Sequence, residues 1–170
     1  MDAPADFTIL LSLASRTHTA LANIKNYKKP LVNSVDLNRS PEVVFDYLCD
    51  LKNELLWNPD MLLAEQLTEG EVGEGTRILC QWKGGPKLEC TYTKFERPHY
   101  WEAYAASNKM DVAFKCEVKP TENGAKITAS MTLLPKGLFR IMGPFLRMAF
   151  QKEEEKNMEK IKRAVENLNN

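Results

Sequence analysis

Apolar and polar residues alternate along much of the chain from residue 31 onward. LVNSVDL places Val35 and Leu37 on one side of a short predicted strand. The alternation recurs in five later segments, which are RILCQW, LECTYT, HYWEAYAAS, MDVAFKCEVKP and AKITASMTLLP. Asn123-Gly124 predicts a tight hairpin turn between the last two segments. The pattern therefore predicts a meander of consecutive antiparallel strands, with one face buried and the other in solvent.

A helical region is predicted between the first strand and the meander. Ser40-Pro41-Glu42 combines an N-cap residue, a proline suited to the first helical turn, and an acid that the helix dipole favours. A helix is therefore predicted to begin at Pro41. Asn58-Pro59 is predicted to end the region, because the residue before a proline is disfavoured in the helical conformation. These signals predict two short helices before the sheet.

A long helix is predicted at the C-terminus. Residues 145–168 contain no glycine or proline and carry a helical stripe of apolar residues, namely Phe150, Met158, Ile161, Val165 and Leu168. Glu154 lies on this stripe between Phe150 and Met158, and Arg147 lies about one helical turn before Phe150. A charge on the buried face of a helix is costly unless it is paired or lies at a cavity. Glu154 is therefore a candidate polar group of an internal site.

The order and spacing of several segments resemble one protein superfamily. The segments are SVDLNRSPEVVFDYLCDLKNELLWNPDM, VGEGTR, FERPHYW, NGAKITASMTLLPKG, MGPFLR and KNMEKIKRAVE. Together they resemble the START-like, Bet v 1-like (SRPBCC) superfamily, in its polyketide cyclase/dehydrase and lipid-transport branch. The resemblance implies an α+β helix-grip fold over residues 31–170, in which a curved antiparallel sheet, two short helices and a long C-terminal helix enclose an apolar cavity. The superfamily includes carriers, sensors and aromatase/cyclases, so the fold alone does not define the function.

We expect the cavity to be lined by large apolar side chains and a few polar groups, as in most ligand sites. The strand alternation and the helical stripe give the candidate ligand-binding residues, which are Trp82, Tyr92, Trp101, Phe114, Met131, Arg147, Phe150, Glu154 and Met158. Tyr92, Arg147 and Glu154 are expected to orient the polar end of a ligand. An ordinary solid core is the alternative interpretation of the apolar members.

Candidate catalytic groups are few. Glu154, Tyr92 and His99 are weak candidates for proton transfer, because no partner group is identified beside any of them. In DLKNELLWNPDML, the spacing of Asp50 and Glu54 permits two converging carboxylates, but no histidine or oxyanion-hole motif accompanies them. We therefore expect this segment to have a structural role at the helix junction.

Composition narrows the classes of partner. Lys+Arg and Asp+Glu both number 23, so no excess of positive charge favours nucleic acid, and no nucleic-acid partner is expected. The four cysteines are too widely spaced for a structural zinc site and are expected to be reduced thiols in the core. The glycine-rich EGEVGEGT precedes a predicted strand, so we interpret it as a turn between strands rather than a phosphate cradle. The resemblance to the superfamily implies that this loop borders the mouth of the cavity. No metal or other cofactor is expected.

Residues 1–30 form an N-terminal extension whose role the sequence leaves open. FTILLSLA is apolar, but no basic residue precedes it, so a secretory signal peptide is not expected. Leu10, Leu13 and Leu21 fit one face of an amphipathic helix, and an organellar transit peptide is the alternative. No apolar run reaches the ~20 residues of a membrane-spanning helix. We expect a soluble, cytoplasmic protein without stable membrane insertion, and the oligomeric state stays open.

Three functional hypotheses follow. The first is binding or carriage of a hydrophobic small molecule, such as a lipid, a polyketide or an isoprenoid-like compound. The second is a polyketide aromatase/cyclase or dehydratase that uses acid and base groups of the cavity. The third is an interaction module in which LFRIMGPFLRMAF binds a protein partner or a membrane surface. We favour the first, because the acid and base candidates are isolated from one another.

Overall fold

The computed structural model describes residues 29–168. Seven strands form one antiparallel sheet in the order β1-β7-β6-β5-β4-β3-β2. The strands are β1 (Leu31–Leu37), β2 (Met61–Gln66), β3 (Arg77–Trp82), β4 (Leu88–Glu96), β5 (Tyr100–Ala105), β6 (Met110–Thr121) and β7 (Gly124–Pro135). The helices are α1 (Pro41–Cys49), α2 (Glu54–Trp57) and α3 (Gly143–Glu166), with 3-10 helices at Leu51–Asn53 and Gly137–Arg140. The predicted order of one strand, two short helices, a strand meander and a long terminal helix is confirmed.

The strand pattern did not predict β2. β2 to β7 pair in chain order, as the meander prediction requires, and β1 completes the sheet beside β7. The sequence of β2, MLLAEQ, begins with a run of apolar residues instead of an alternation. A register shift between Met61 and Leu63 against β3 explains this, because a bulge interrupts the simple two-residue repeat of a strand.

The helical region divides into two parts at Asp50. Helix α1 begins at Pro41 with Ser40 as its N-cap, as predicted. Asp50 has an extended backbone, and its side chain accepts a hydrogen bond from the backbone N–H of Lys52 at 3.0 Å. This side-chain bond satisfies a backbone donor at the junction, which is the structural role expected of the segment. Helix α2 ends at Trp57, directly before the asparagine-proline pair, as predicted.

The two ends of the sheet differ in their packing. The closed end carries the connection from β1 to α1 and the β4–β5 and β6–β7 turns, whereas the open end carries the β3–β4 and β5–β6 turns and the start of α3. Toward the closed end the concave face is a filled core. The ring of Phe45 lies 5.1 Å from the rings of both Phe95 and Trp101. Helix α3 adds three buried apolar side chains to this core, which are Met158, Ile161 and Val165.

Helix α3 is fixed most firmly at its C-terminal half. There Arg39 donates hydrogen bonds to the carbonyl oxygens of Glu166 at 3.0 Å and Leu168 at 2.6 Å. Nearer the start of the helix, Gln151 donates a side-chain hydrogen bond to Asn33 on β1 at 2.8 Å. The helix therefore has its C-terminal half packed into the core, while its N-terminal half is tied to the edge strand by polar contacts.

The convex face of the sheet is not wholly exposed, contrary to the prediction from the alternation in β6. Asp111 was predicted on the solvent side but is only 6% exposed. Its carboxylate accepts hydrogen bonds from Lys136 at 2.6 Å and from the backbone N–H of Ser107 at 3.2 Å. The prediction was wrong at this position, and it was wrong for a patch of the same face, because the neighbouring Tyr104, Ala113, Thr132 and Leu134 are buried too.

All four cysteines are buried, which confirms their predicted place in the core, and none of them forms a disulfide in the structure. Among residues 29–168, no group of three or more His, Cys, Asp or Glu side chains is arranged to hold a metal ion.

No helix among residues 29–168 is long and apolar enough to cross a membrane. The amphipathic helix and the transit peptide considered for the N-terminal extension fall on residues 1–28, outside the described residues.

Gly124, in the predicted hairpin turn, is expected to be indispensable for stability. Its φ is +147°, and a Cβ there would overlap the carbonyl oxygen of Leu37 and approach the backbone of Arg39. Gly124→Ala is therefore expected to lower the free energy of unfolding by about 3 kcal/mol or more. Gly84 has a φ of +76° but no heavy atom within 4 Å of a Cβ, so Gly84→Ala should cost only about 1 kcal/mol. Urea unfolding followed by tryptophan fluorescence measures both, and equal losses would contradict the steric argument.

Candidate functional site

The concave face of the sheet is only partly covered toward the open end. The side chains that share this face there are apolar and half-buried, namely Trp82, Ala103, Met110, Val112, Phe114, Met131 and Leu133. We call this set the open apolar face. The register places Phe114 directly opposite Ala103 on one side and Met131 on the other. Directly opposed residues of antiparallel strands lie on the same face, so these side chains form one continuous apolar surface.

A carboxyl group lies beside the open apolar face. Glu54, the first residue of α2, accepts two hydrogen bonds at its Oε1 atom. The indole N–H of Trp82 donates one at 2.8 Å, and the side-chain amide of Asn58 donates the other at 2.6 Å. Asn58 follows Glu54 by one helical turn, and Trp82 is the last residue of β3. Secondary structure therefore fixes all three groups in place.

A second carboxyl group belongs to the same network. Glu154 on α3 accepts a hydrogen bond from the side-chain amide of Asn157 at 3.3 Å. Lys160 connects the helices, because its ammonium donates to the side-chain oxygens of Asn157 at 3.0 Å and Asn58 at 3.4 Å. The same ammonium forms an ion pair with Glu153 at 3.3 Å. We call the network the carboxyl cluster, and its members are Glu54, Asn58, Trp82, Glu154, Asn157 and Lys160.

Burial changes the acidity of both carboxyl groups in the cluster. Loss of water raises the pKa of Glu54, and the hydrogen bonds from Trp82 and Asn58 oppose this effect only in part. Burial raises the pKa of Glu154 to about 6. The negative charge of Glu54 adds to this increase in the pKa of Glu154, whereas the hydrogen bond from Asn157 opposes it. With a pKa of about 6, Glu154 changes its protonation state between weakly acidic and neutral pH.

The structure brings part of the predicted site together. Trp82, Phe114 and Met131 belong to the open apolar face, and Trp82 also binds the carboxyl cluster. Glu154 is a member of that cluster, which fits the expectation that a polar group on the helical stripe lies at an internal site. Phe150 is half-buried on α3 one turn before Glu154.

Three other predicted ligand-binding residues lie in the filled core. Tyr92 is 3% exposed, and its hydroxyl donates a hydrogen bond to the carbonyl oxygen of Cys49 at 2.5 Å. Burial raises the pKa of Tyr92, which keeps the hydroxyl protonated. Trp101 packs against Phe45, and Met158 is a buried member of the same core. These side chains support the fold at the closed end, where the alternative of a solid core applies.

Arg147 and His99 lie apart from the carboxyl cluster. Arg147 donates hydrogen bonds to the backbone carbonyl oxygens of Lys29 and Pro30, just before β1. It therefore makes no ion pair with Glu154 in the described part of the chain. His99 is exposed in the turn between β4 and β5, at the closed end of the sheet. Neither side chain is placed to act together with the two half-buried carboxyl groups of the cluster.

Sequence reasoning assigned no site role to Glu54, Asn58, Asn157 or Lys160. The helical spacing contained a signal, because Glu154, Asn157 and Lys160 recur at three-residue intervals along one side of α3. The sequence did not show that this polar row would meet α2 and the end of β3. DLKNELLWNPDML keeps its structural role at the helix junction and also supplies the half-buried carboxyl group of Glu54.

A separate surface cleft of about 590 Å³ lies at the closed end of the sheet. Its walls combine polar residues of α1 and the first 3-10 helix with part of the glycine-rich segment, Gly70 to Val72. Arg97, also in the wall, forms an ion pair with Asp46 at 2.6 Å. EGEVGEGT is the predicted turn between β2 and β3, and it borders this cleft instead of the open apolar face.

The chain matches the protein-family model described as "Polyketide cyclase / dehydrase and lipid transport" over residues 31–166. It belongs to this family, which confirms the resemblance inferred from the sequence segments. No curated protein matches the chain.

Solved structures share the fold at low sequence identity. Protein BH1534 of Bacillus halodurans is 16% identical, with a TM-score of 0.62 over 81% of this chain and 97% of that protein. Ara h 8.0201 is 17% identical, with a TM-score of 0.58 over 81% of this chain and 95% of that protein. The di-domain ARO/CYC protein BexL from the BE-7585A biosynthetic pathway is 13% identical, with a TM-score of 0.69 over 97% of this chain and 61% of that protein. These similarities confirm the predicted helix-grip, Bet v 1-like α+β fold.

The raised pKa of Glu154 predicts a specific pH dependence of stability. The folded protein holds a proton on this group more tightly than the unfolded chain does. The resulting stability is present below the unfolded pKa of ~4.3 and is lost as the pH rises through the folded pKa of about 6. Glu154→Gln removes this loss. Between about pH 4 and about pH 7.5, the free energy of unfolding of Glu154→Gln should therefore rise by about 2 kcal/mol relative to that of the wild type. Urea unfolding at both pH values measures the gain.

Glu159→Gln is the matched control, because Glu159 is exposed on the same helix. Its stability should follow the pH dependence of the wild-type protein. If the free energy of unfolding of Glu154→Gln has the same pH dependence as that of the wild type, Glu154 does not have a raised pKa in the folded protein.

Proposed function

We propose that the protein binds a hydrophobic small molecule on the open apolar face, with a polar group of the ligand at the carboxyl cluster. The observation that carries this proposal is the pair of half-buried carboxyl groups with raised pKa beside a half-buried apolar surface. Membership of a family described by polyketide cyclases, dehydrases and lipid transport supports the ligand class. Apolar walls with few polar groups are typical of sites for small molecules.

The carboxyl cluster is costly for the free protein. Two carboxyl groups share one ammonium group, that of Lys160, which is itself paired with Glu153. Removing an ionised carboxylate from water costs several kcal/mol, and hydrogen bonds from neutral amides return only part of it. Titratable groups held with shifted pKa values are concentrated at functional sites. The cost therefore supports a binding role over a purely structural one.

The hydrogen bonds of Glu54 indicate which polar group the ligand carries. Its Oε1 atom already accepts two hydrogen bonds, from Trp82 and Asn58. Its Oε2 atom has no hydrogen-bond partner among the described residues. A carboxylate oxygen is an acceptor, so a ligand hydroxyl or amine that donates a hydrogen bond fits this position. Hydrogen bonds to ionised groups are among the strongest that proteins form.

The filled core limits the length of the ligand. Phe45, Trp101 and Tyr92 occupy the concave side toward the closed end, and each is less than 5% exposed. The unfilled apolar surface is confined to the open half of the sheet. We therefore expect a compact ligand that occupies this half of the concave face. A long chain that extends between the sheet and α3 over their whole length is not expected.

Met131→Trp tests the proposed location. The larger indole would fill space on the open apolar face, so the affinity for the uncharged fluorescent probe Nile red should fall about tenfold or more. Val32→Trp is the control, because Val32 is 51% exposed on the convex face of the adjoining strand β1. Fluorescence titration measures both, and native mass spectrometry of the purified wild type checks for a retained ligand.

The same assay tests the carboxyl cluster by competition. A fatty alcohol should displace Nile red better than an alkane of equal length, and Glu54→Gln should reduce that preference, because a neutral acceptor binds the hydroxyl less strongly. Absence of saturable Nile red binding to the wild type, or an equal loss in Met131→Trp and Val32→Trp, would reject binding on this face.

A second candidate function is cyclisation or dehydration of a polyketide. Two of the structural neighbours, BexL and StfQ, are described as di-domain ARO/CYC proteins from biosynthetic pathways. In the present chain, the pKa of Glu154 near 6 favours this candidate, because a general acid or base works best when its pKa is close to the working pH. Glu154 would then remove or deliver a proton at an enolisable carbonyl bound on the open apolar face.

Incubation with a poly-β-ketone mimic tests this second function. If the wild-type protein forms product, Glu154→Gln should reduce the rate of product formation about 100-fold, because a general acid or base usually contributes a factor of this size. The wild-type rate should rise through about pH 6 if Glu154 acts as the base. Glu159→Gln should retain the wild-type rate. Identical products with and without protein would exclude this function and leave the binding proposal standing.

A further inference from the structure

The surface at the start of α3 carries five large, exposed apolar side chains. We call it the apolar edge, and its members are Leu138, Ile141, Met142, Phe145 and Met148, each between 50% and 76% exposed. They recur about once per turn from the second 3-10 helix to the beginning of α3, with Ile141 and Met142 adjacent in the short link between the two. Apolar side chains exposed together in this way mark a surface that contacts another molecule.

The segment that forms the apolar edge carries only positive charge, and three glutamates at 153–155 follow it along α3. Residues 136–152 contain no acidic side chain and four basic ones, which are Lys136, Arg140, Arg147 and Lys152. Within the described residues, Lys136 alone of these four forms an ion pair, with Asp111. Arg147 donates to backbone carbonyl oxygens, which do not neutralise its charge. Arg140 and Lys152 are exposed and add positive charge beside the apolar side chains.

The apolar edge begins where the open apolar face ends. Met110, a member of that face, lies opposite Pro135 in the register of β6 and β7. The next residue, Lys136, donates a backbone hydrogen bond to the carbonyl oxygen of Lys109 at 2.8 Å. The β3–β4 turn at the same end of the sheet contributes two further exposed cations, Lys83 and Lys87. Apolar and basic groups are therefore concentrated at the open end.

We propose that the apolar edge docks on an anionic lipid bilayer. Exposed Phe, Leu, Ile and Met side chains beside Lys and Arg are the combination by which helices lie in the bilayer interface. The apolar side chains enter the boundary between headgroups and acyl chains, while Arg140 and Lys152 contact the anionic headgroups. Docking in this orientation brings the open apolar face next to the hydrocarbon region. The docking surface itself does not depend on whether that face binds a ligand.

Residues 1–28 and a second copy of the chain are the other candidate occupants of the apolar edge, and the experiments described below test both. Residues 1–28 contain three basic and two acidic side chains, so they carry no net negative charge to match a basic surface. A second copy of the chain would bring two basic surfaces together, which is unfavourable at low ionic strength. Charge complementarity thus favours an anionic bilayer over both.

Vesicle flotation of the full chain is the primary test. Wild type should float with vesicles of phosphatidylcholine and phosphatidylglycerol and stay behind with phosphatidylcholine alone, and added salt should weaken binding. Arg140→Gln with Lys152→Gln should reduce the partition constant about fivefold for each charge removed. Phe145→Ser with Met148→Ser should reduce it about tenfold or more, because less apolar surface enters the interface.

Matched controls lie at the closed end. Val43→Ser with Leu67→Ser removes two exposed apolar side chains there, and Lys126→Gln with Arg163→Gln removes two exposed charges. Both double variants should bind anionic vesicles like the wild type. All substituted positions are exposed, and thermal unfolding confirms that each variant folds. Failure of the wild type to float, or equal losses in controls and test variants, would overturn the proposal.

Photo-crosslinking identifies the occupant directly. Benzoylphenylalanine is placed at position 145 of the full chain and irradiated with anionic vesicles. A covalent adduct with the mass of phosphatidylglycerol supports docking on the bilayer. A link to a peptide from residues 1–28, or to a second chain, would assign the apolar edge to that occupant and overturn the proposal.

Discussion

The packing of the C-terminal half of α3 against one end of the curved sheet is the constraint on which the rest of the structure depends. Met158, Ile161 and Val165 fill the concave side there together with Phe45 from α1. The opposite half of the helix is tied to β1 by polar contacts, such as that between Gln151 and Asn33. Because the core is filled from one end only, an apolar surface stays half-buried at the other. The proposed site and the proposed docking surface both lie at that open end.

The carboxyl cluster is the point where this arrangement places polar groups in the interior. Lys160 on α3 donates to Asn58 next to α2, and Glu54 accepts a hydrogen bond from Trp82 at the end of β3. The network therefore joins the terminal helix to the far edge of the sheet. The same burial that raises the pKa of Glu54 and Glu154 makes them strong partners for a ligand that enters the apolar surroundings.

Most of the fold could be predicted from the sequence. About half of the residues of the candidate site could also be predicted. Local signals predicted α1 from Ser40-Pro41, the hairpin at Gly124 and the buried stripe of α3. The strand β2 escaped prediction because its bulge removes the alternation. Alternation also assigned Tyr92 to the right face, but it does not distinguish a residue in a filled core from one at an open surface. That difference depends on how far along the sheet α1 and α3 reach.

The sequence by itself determined the order of most elements, the start of α1 and which residues of the predicted strands share a face, because these features depend on local periodicity, capping and turn chemistry. Glu154 was identified as a misplaced charge on an apolar stripe from this information alone. Only the tertiary structure decided that Glu54, distant in sequence, joins the same network, and that Arg147 binds the chain before β1 instead of Glu154. These contacts are set by the position of α3 across the sheet, which results from packing of the whole core and is not encoded in any single segment.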